Sequence, residues 1–309
     1  MVIEAPAKQI ALSFGIDDGT GVQLESLYRK NIFRYHDFPL ILSTGLAIDR
    51  LRQRAFIDIN FPSNSNENKD AIGLLADHSN IQDMKIIRLA LGATNIRQIC
   101  IKNNGKSIEY EKRLGSLLAY DYQTRIKDNA SFQLSSITAT FDWTKRNIDN
   151  KYNPRNGDLI TFGFGLGSTI NEVNPYARVK LRLQEWKSIG RSNVISSHLE
   201  IGKVYTKNSQ FPYDFGFRSN IVRRKKSEIA DSALALVSLE YEHDFTDKWG
   251  LGLFIETWNS ENSFRSIGVN MDYGIGIRAR TLASPLSLDL IYNQLEKKIR
   301  LHFSLGIVF

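Results

Sequence analysis

The feature that most limits how this chain can fold is an alternation of apolar and polar residues that runs to its last residue. Between positions 300 and 309, every second side chain is large and apolar, and the residues between them are mostly polar or small. The apolar positions are Leu301, Phe303, Leu305, Ile307 and Phe309. In a strand, such residues all point to one face. The pattern therefore predicts a β-strand with one fully apolar face.

The same alternation recurs along the chain, around 10–16, 160–166, 179–183 and 271–277. A soluble β-sandwich also has an apolar inner face. Strands of roughly nine to eleven residues nevertheless fit a membrane span better than the roughly five or six of soluble sheets. Because lipid offers no hydrogen-bond partner to an open edge, such a sheet must close. The sequence predicts an all-β fold, a transmembrane antiparallel barrel of about sixteen strands.

Composition excludes several other classes of protein. No stretch approaches the roughly 18 apolar residues that a transmembrane helix needs, so a helical membrane protein is excluded. The single Cys100 rules out a disulfide within the chain, and no Cys/His spacing indicates a metal site. The net charge of +7 raises nucleic-acid binding, but the densest basic cluster, 223–226, has no interleaved aromatic residues. We expect no nucleic-acid partner.

The connections suggest short turns on one side of the barrel and long loops on the other. Short turns are predicted at 190–193, at 246–249 and around Ser284, and longer loops near 171–175, 208–232 and 260–267. Between Phe61 and Arg113 the hairpins fit two registers. One uses Asn103-Asn104-Gly105-Lys106 as a turn, and the other places it inside a longer excursion.

No catalytic activity and no cofactor are expected. Five histidines lie at unrelated positions, and no Gly-x-Ser-x-Gly elbow or triad-like spacing accompanies them. The Gly-x-Gly runs at 163–167 and 274–276 lack the third glycine and the strand-to-helix context of a nucleotide site. These glycines are predicted to face the lumen.

Several motifs, taken in order, resemble the outer-membrane protein assembly-factor superfamily, and within it the TamA-type subunit of the translocation and assembly module. They cover essentially the whole chain as the barrel part of such a protein. Asp142 in a strand precedes a Pro-x-x-Gly turn made by Pro154 and Gly157, which resembles the family's periplasmic turn motif. The remaining motifs are 238–241 with Lys248-Trp249, 254–256, 274–278 with 284–289, and Leu305-Gly306.

The resemblance implies an integral protein of the bacterial outer membrane that assists the insertion or translocation of outer-membrane proteins, autotransporters among them. Its expected partners are outer-membrane lipids, client outer-membrane proteins and a TamB-like protein that is anchored in the inner membrane and spans the periplasm. The expected mechanism uses the seam between the first and last strands, where Gly15, Gly306 and Phe309 lie. A poorly paired seam can template an incoming strand. Alternatively, the two glycines merely relieve crowding in the pleat.

The chain departs from the family pattern in two respects. The family's long sixth extracellular loop folds into the lumen with a Val-Arg-Gly-Tyr signature, whereas here the matching stretch reads Val222-Arg223-Arg224-Lys225. Arg223 could still pair in the lumen with Glu256 or Glu240, or could belong to a solvated basic loop. The second departure concerns the periplasmic POTRA repeats, which we expect to be absent from residues 1–309. We predict that 1–8 is a residual linker and 9–309 the barrel domain.

Three functions therefore stay open at the level of sequence. The first is an assembly factor or insertase, which the ordered motifs favour. The second is an outer-membrane secretion channel or passive pore, which steady ion conductance would distinguish. The third is a soluble basic binding protein, which purification without detergent would support.

Overall fold

The protein forms one β-sheet in its computed structural model. The residues that the structure describes are 8–17, 21–35, 38–61, 69–81, 84–103, 106–127, 130–150, 153–207, 211–212, 215–217, 232–261, 270–280, 285–295 and 297–305. Within these ranges no helix is long and apolar enough to cross a membrane.

Sixteen strands make up the sheet. They are β1 (Lys8–Asp17), β2 (Gly21–Tyr35), β3 (Phe38–Ile48), β4 (Arg52–Phe61), β5 (Lys69–Ile81), β6 (Met84–Asn103), β7 (Lys106–Lys127), β8 (Ala130–Ile148), β9 (Gly157–Thr169), β10 (Pro175–Ile189), β11 (Asn193–Thr206), β12 (Ala233–Asp244), β13 (Trp249–Glu261), β14 (Asn270–Arg280), β15 (Pro285–Asn293) and β16 (Lys298–Leu305).

Each strand pairs antiparallel with the next along the chain, so the order in the sheet is the order in the sequence. Cα atoms of β1 and β16 come within 8 Å of each other, which brings the two ends of the sheet together at a seam. The predicted all-β architecture of sixteen antiparallel strands is confirmed.

Alternation along each strand gives the barrel an apolar outside and a polar inside. In β13, Leu253 and Ile255 are exposed on the outer face, whereas Phe254 and Glu256 are buried on the inner face. In β9, Phe164 and Leu166 point outward, and Gly163 and Gly165 face the lumen as predicted. Lipid is the medium that such an apolar outer face requires.

The connections follow the predicted asymmetry in the second half of the chain. Residues 190–192 join β10 to β11 and residues 245–248 join β12 to β13, whereas 207–232 separate β11 from β12. The loop expected near 171–175 covers residues 170–174. Residues 170–174 form a compact connection, because Thr169 N–H donates to the Asn174 carbonyl at 3.2 Å.

The ambiguous stretch between β4 and β8 adopts the first of the two registers. Asn103 at the end of β6 stands opposite Lys106 at the start of β7, which is the pairing that the first register predicts. Strands β6, β7 and β8 have 20, 22 and 19 residues, about twice the predicted span. Register shifts between Leu91 and Asn95, and between Gly115 and Ala119, interrupt their ladders.

Candidate functional site in the barrel lumen

Glycines on the lumen face make room for large side chains that arrive from elsewhere in the fold. A Cβ placed on Gly165 of β9 would lie 2.7 Å from Cε2 of Phe215. A Cβ on Gly202 of β11 would collide with the ring of Phe217. Because real Cβ atoms do not approach so closely, these two positions require glycine as long as the rings stay where they are.

The two rings belong to the long loop between β11 and β12. Phe211, Phe215 and Phe217, here called the aromatic anchor, are buried at 6%, 3% and 5% exposure. They form one apolar cluster with the wall residues Tyr176, Val204 and Leu234. This part of the loop therefore folds inward against the barrel wall, as the predicted architecture requires.

Strand β10 contributes the polar contacts of the anchor. The ring of Tyr176 packs edge-on against Phe215, with centroids 4.7 Å apart, and its hydroxyl is 2.7 Å from Oγ1 of Thr138 on β8. Arg178 Nη1 donates a hydrogen bond to the Phe215 carbonyl at 3.1 Å. The same guanidinium lies 4.8 Å from the centroid of the Phe215 ring, a cation–π distance.

Filling the glycine position under Phe217 should displace the anchor. We expect Gly202→Leu to push the Phe217 ring out of the wall and to cost about 1–3 kcal/mol of stability, because overpacking forces neighbours to move. The double variant Gly202→Leu with Phe217→Ala should recover most of this loss, since the new side chain then occupies the volume of the ring. Unfolding in urea of the lipid-refolded barrel measures both. Equal stability of the two variants would contradict this account.

The neighbouring strands β12 to β15 carry four lumen-facing carboxylates, here called the acidic wall: the buried Glu256, Asp272 and Asp289 and the half-buried Glu240. Glu256 and Asp272 stand directly opposite each other in the ladder and are 3% and 4% exposed. Ser238 Oγ donates to Glu256 Oε1 at 3.1 Å, and Asn293 Nδ2 donates to Asp272 Oδ1 at 2.5 Å. Two adjacent buried carboxylates favour a cation nearby.

Arg278 of β14 binds the other two members of the acidic wall. Its Nη2 is 2.6 Å from Glu240 Oε1 and its Nη1 is 2.5 Å from Asp289 Oδ1. Glu240 lies two strands away, and the guanidinium reaches it across Gly252 of β13, where a Cβ would lie 2.8 Å from Nη2. A glycine again provides the space for a long-range contact.

The residues that the sequence analysis assigned to the lumen and to the seam lie in different parts of the fold. Glu240 and Glu256 both lie on the lumen face, and Glu240 pairs with Arg278. Gly15 lies in β1 opposite Gln23 of β2. The selected residues Arg223, Gly306 and Phe309 lie outside the described residues. So do residues 1–7 of the expected linker, and β1 already begins at Lys8.

The predicted periplasmic turn motif divides between a strand and a turn. Asp142 lies within β8, and its Oδ1 forms an ion pair with Lys180 Nζ at 2.7 Å across Gly163 of β9. Pro154 and Gly157 lie in and just after the connection between β8 and β9, where Gly157 has a φ of 129°. The motif therefore contributes to the wall at one end and to the turn at the other.

Asp149 organises that turn through its carboxylate. Arg155 N–H donates to Asp149 Oδ1 at 2.9 Å. Partial burial alone would raise the pKa of Asp149, but backbone N–H donors from Arg155, Asn156 and Asn150 outweigh it and hold the pKa below its usual value. The stabilisation is thus present above the ordinary carboxyl pKa and is lost as the pH falls through the lowered one.

Arg155 joins three neighbouring turns at this end of the barrel. Its guanidinium pairs with Asp244 at the end of β12 and donates from Nη2 to the Arg191 carbonyl at 2.9 Å. Asn156 adds a hydrogen bond from Nδ2 to Ser188 Oγ at 2.9 Å. These contacts fix the turns after β8, β10 and β12 relative to one another.

Sequence reasoning missed the aromatic anchor, Arg178 and the bridging role of Arg278. The available signal was the run Phe211-Pro212-Tyr213-Asp214-Phe215-Gly216-Phe217 in a connection that otherwise reads as polar loop. Isolated lumen-facing glycines such as Gly202 were a second signal, since glycine in a strand often marks the close approach of another group. In the described part of the chain, no group of three or more His, Cys, Asp or Glu residues could hold a metal ion.

Comparisons with known proteins place this geometry in context. The Omp85 superfamily domain matches residues 86–309. BamA from Haemophilus ducreyi lacking POTRA domains 1–3 superimposes with a TM-score of 0.73 at 12% identity, over 99% of this chain and 71% of that one. CdiB from Acinetobacter baumannii superimposes with a TM-score of 0.60 at 11% identity, over 97% of this chain and 59% of that one. No curated protein sequence matches the chain.

Proposed function

The chain belongs to the Omp85 superfamily and is an outer-membrane β-barrel, and from this premise we propose that it assists the insertion of client proteins into the outer membrane through its β1–β16 seam. The clients are outer-membrane proteins such as autotransporters. The observation that carries the proposal is the meeting of the first and last strands within 8 Å, beside a lumen into which the chain's own loop folds.

The seam differs physically from every other strand boundary of the barrel. Strands β1 to β16 form fifteen neighbouring pairs joined by antiparallel ladders, and the seam brings together strands from the two ends of the chain. An incoming strand can add to a sheet only at such a boundary, where backbone groups can change partners. Gly15 in β1 would weaken pairing there, because glycine lowers strand stability.

The partly packed lumen favours insertion over passive conduction. Phe215 and Phe217 lie buried against β9 and β11, so part of the interior is packed with apolar side chains. A passive pore instead keeps a wet lumen. The anchor thus supports a barrel that acts on its clients at the seam in its wall and not through an open pore.

Within the superfamily, we assign the chain to the TamA-type branch on the order of its motifs, from Asp142 and the Pro154–Gly157 turn to the hairpin around Pro285. This assignment implies a TamB-like partner that reaches the barrel from the inner membrane. The turns that Arg155 joins provide a connected surface at the end of the barrel that we assign to the periplasm.

We also assign the acidic wall a role in holding the basic part of the loop. Glu256 and Asp272 are buried opposite each other, and the loop carries the run Arg223-Arg224-Lys225-Lys226. A guanidinium can bridge two carboxylates with charge-assisted hydrogen bonds. Arg223 would thus pair with Glu256 even though the Gly and Tyr of the family signature are absent.

A reversible cross-link at the seam tests the proposed function. In a Cys100→Ser background, cysteine pairs scanned between 9–13 and 301–305 identify a disulfide that joins β1 to β16. Vesicles that contain the protein should accelerate the folding of a urea-unfolded eight-stranded outer-membrane barrel. The seam disulfide should abolish the acceleration, and reduction should restore it, because the strands must separate for templating.

The matched control is a disulfide between two strands that do not form the seam. Lys187 of β10 stands opposite Ile195 of β11, and the pair Lys187→Cys with Ile195→Cys should leave client folding unchanged. Client folding that is insensitive to the seam disulfide would refute templating. If the vesicles also show steady ion conductance, the secretion channel becomes the better assignment.

A further inference from the structure

We propose that Arg178 is a positioning residue that fastens the β11–β12 loop to the lumen wall, independently of the loop's own arginine. Arg178 lies on β10 and contacts Phe215 of the aromatic anchor twice, once at its carbonyl and once at its ring. The wall supplies the cation and the loop supplies the acceptor. In a pairing between Arg223 and the acidic wall, by contrast, the loop would supply the cation and the wall would supply the acceptor.

The geometry of Arg178 suits this role. Its Nη1 donates to the Phe215 carbonyl at 3.1 Å, while its Cζ lies over the Phe215 ring at 4.8 Å from the centroid. Among the described residues, Arg178 Nε is buried without a hydrogen-bond partner. Undocking the loop would take both Phe215 contacts from the guanidinium, so the free energy of these Arg178 contacts contributes directly to docking the loop.

The rest of the wall is shaped for the same contact. Gly165 leaves space beneath the Phe215 ring, and Tyr176 packs edge-on against it from the same strand as Arg178. Phe217 occupies the equivalent space over Gly202 two strands away. Five strands, β8 to β12, thus contribute to one receptor for the anchor, since Thr138 of β8 contacts Tyr176 and Leu234 of β12 belongs to the same apolar cluster.

This second attachment explains how the loop can stay in the lumen although the signature around Arg223 lacks its Gly and Tyr. The contacts of Arg178 use a backbone carbonyl and an aromatic ring, and neither depends on that signature. Its consequence for activity rests on the proposed function: a docked loop keeps the interior packed while the seam exchanges strands.

Cysteine labelling at Pro212 measures the docking directly. Pro212 is fully buried next to the anchor, and its carbonyl accepts the Phe215 N–H at 2.8 Å. In a Cys100→Ser, Pro212→Cys background, we expect Arg178→Ala to raise the rate of maleimide labelling on the order of tenfold, the factor that corresponds to about 1.4 kcal/mol. Arg178→Lys keeps the charge without the planar face and should give an intermediate rate.

Arg182→Ala is the matched control, because Arg182 lies on the same strand and face as Arg178 and pairs with Glu200 at 2.8 Å. It should leave labelling at position 212 unchanged. All variants are first checked for heat-modifiability on a gel, which reports the closed barrel. If the alanine variant does not fold, Arg178→Lys decides, and faster labelling supports the proposal.

Labelling at the wild-type rate in a folded Arg178 variant would overturn the proposal. So would labelling of Arg223→Ala alone as fast as that of Arg223→Ala with Arg178→Ala, because Arg178 would then hold nothing by itself. Because the measurement involves no client protein, its failure leaves the seam mechanism untouched, and failure of the seam experiment leaves the labelling result valid.

Discussion

Arg278→Met is expected to destabilise the barrel by about 3–5 kcal/mol, the cost of leaving a buried ion partner uncompensated. Arg278 is the shared partner of Glu240 and Asp289, and the Asp289 side chain is only 1% exposed. Its removal leaves two carboxylates on the acidic wall without their guanidinium. The unfolding midpoint in urea of the lipid-refolded protein measures the loss.

Two further variants separate the loss of the charge partner from simple loss of side-chain volume. The triple variant Arg278→Met, Glu240→Gln and Asp289→Asn should recover much of the stability, because the two side chains that Arg278 neutralised then carry no charge. Arg182→Met removes an ion pair whose arginine is 41% exposed and should cost about 1 kcal/mol or less. If the triple variant is no more stable than Arg278→Met, the charge explanation is wrong.

Gly157→Ala is expected to disrupt the turn between β8 and β9. With a φ of 129°, Gly157 occupies a region that is essentially restricted to glycine, so alanine adds about 1–3 kcal/mol of strain. The new Cβ would also lie 2.8 Å from Cα of Ile148 and would collide with the Asn147 carbonyl. Backbone cannot rotate away as a side chain can, so the turn must open. The turn joined by Arg155 should then lose its fixed position, which proteolysis at 149–156 would detect.

Gly190 provides the matched control in the neighbouring turn. Its φ of 67° lies in the ordinary left-handed region, and a Cβ there would meet no atom within 4 Å. Gly190→Asn should therefore be tolerated, because asparagine adopts this conformation more readily than other non-glycine residues. Equal sensitivity of the two turns would show that positive φ alone, and not the collision at Gly157, sets the cost.

The architecture was predictable because it depends on a local pattern. A strand places successive side chains on opposite faces, so the alternation at 271–277 or 301–309 assigns each residue to lipid or lumen without knowledge of its neighbours. The lumen position of Gly163 and Gly165 follows from the same parity. The hairpin at Asn103 and Lys106 could be proposed for a similar reason, since a turn signal fixes its register locally.

The lengths of β6 to β8 were not predictable in this way. The expected span of roughly nine to eleven residues describes only the part of a strand that crosses the membrane. Hairpins that extend beyond the bilayer continue the ladder, as β7 does over 22 residues. The compact form of the connection at 170–174 was not predictable either, because it depends on hydrogen bonds within the connection. There the hydroxyl of Thr169 accepts a hydrogen bond from Asn174 N–H at 3.1 Å and closes the turn.

The sequence by itself determined the class of fold and the face to which each side chain of a strand points, because these follow from a period of two residues. The number of strands followed instead from the chain length and the usual length of a membrane-spanning strand with its connection. Only the tertiary structure decided which side chains meet inside the barrel. Arg155 and Asp244 are 89 positions apart, Arg178 and Phe215 are 37 apart, and Arg278 reaches Glu240 across an intervening strand. Such contacts depend on the curvature and the register of the closed sheet, and on a loop that returns to the wall. No local pattern encodes these distances.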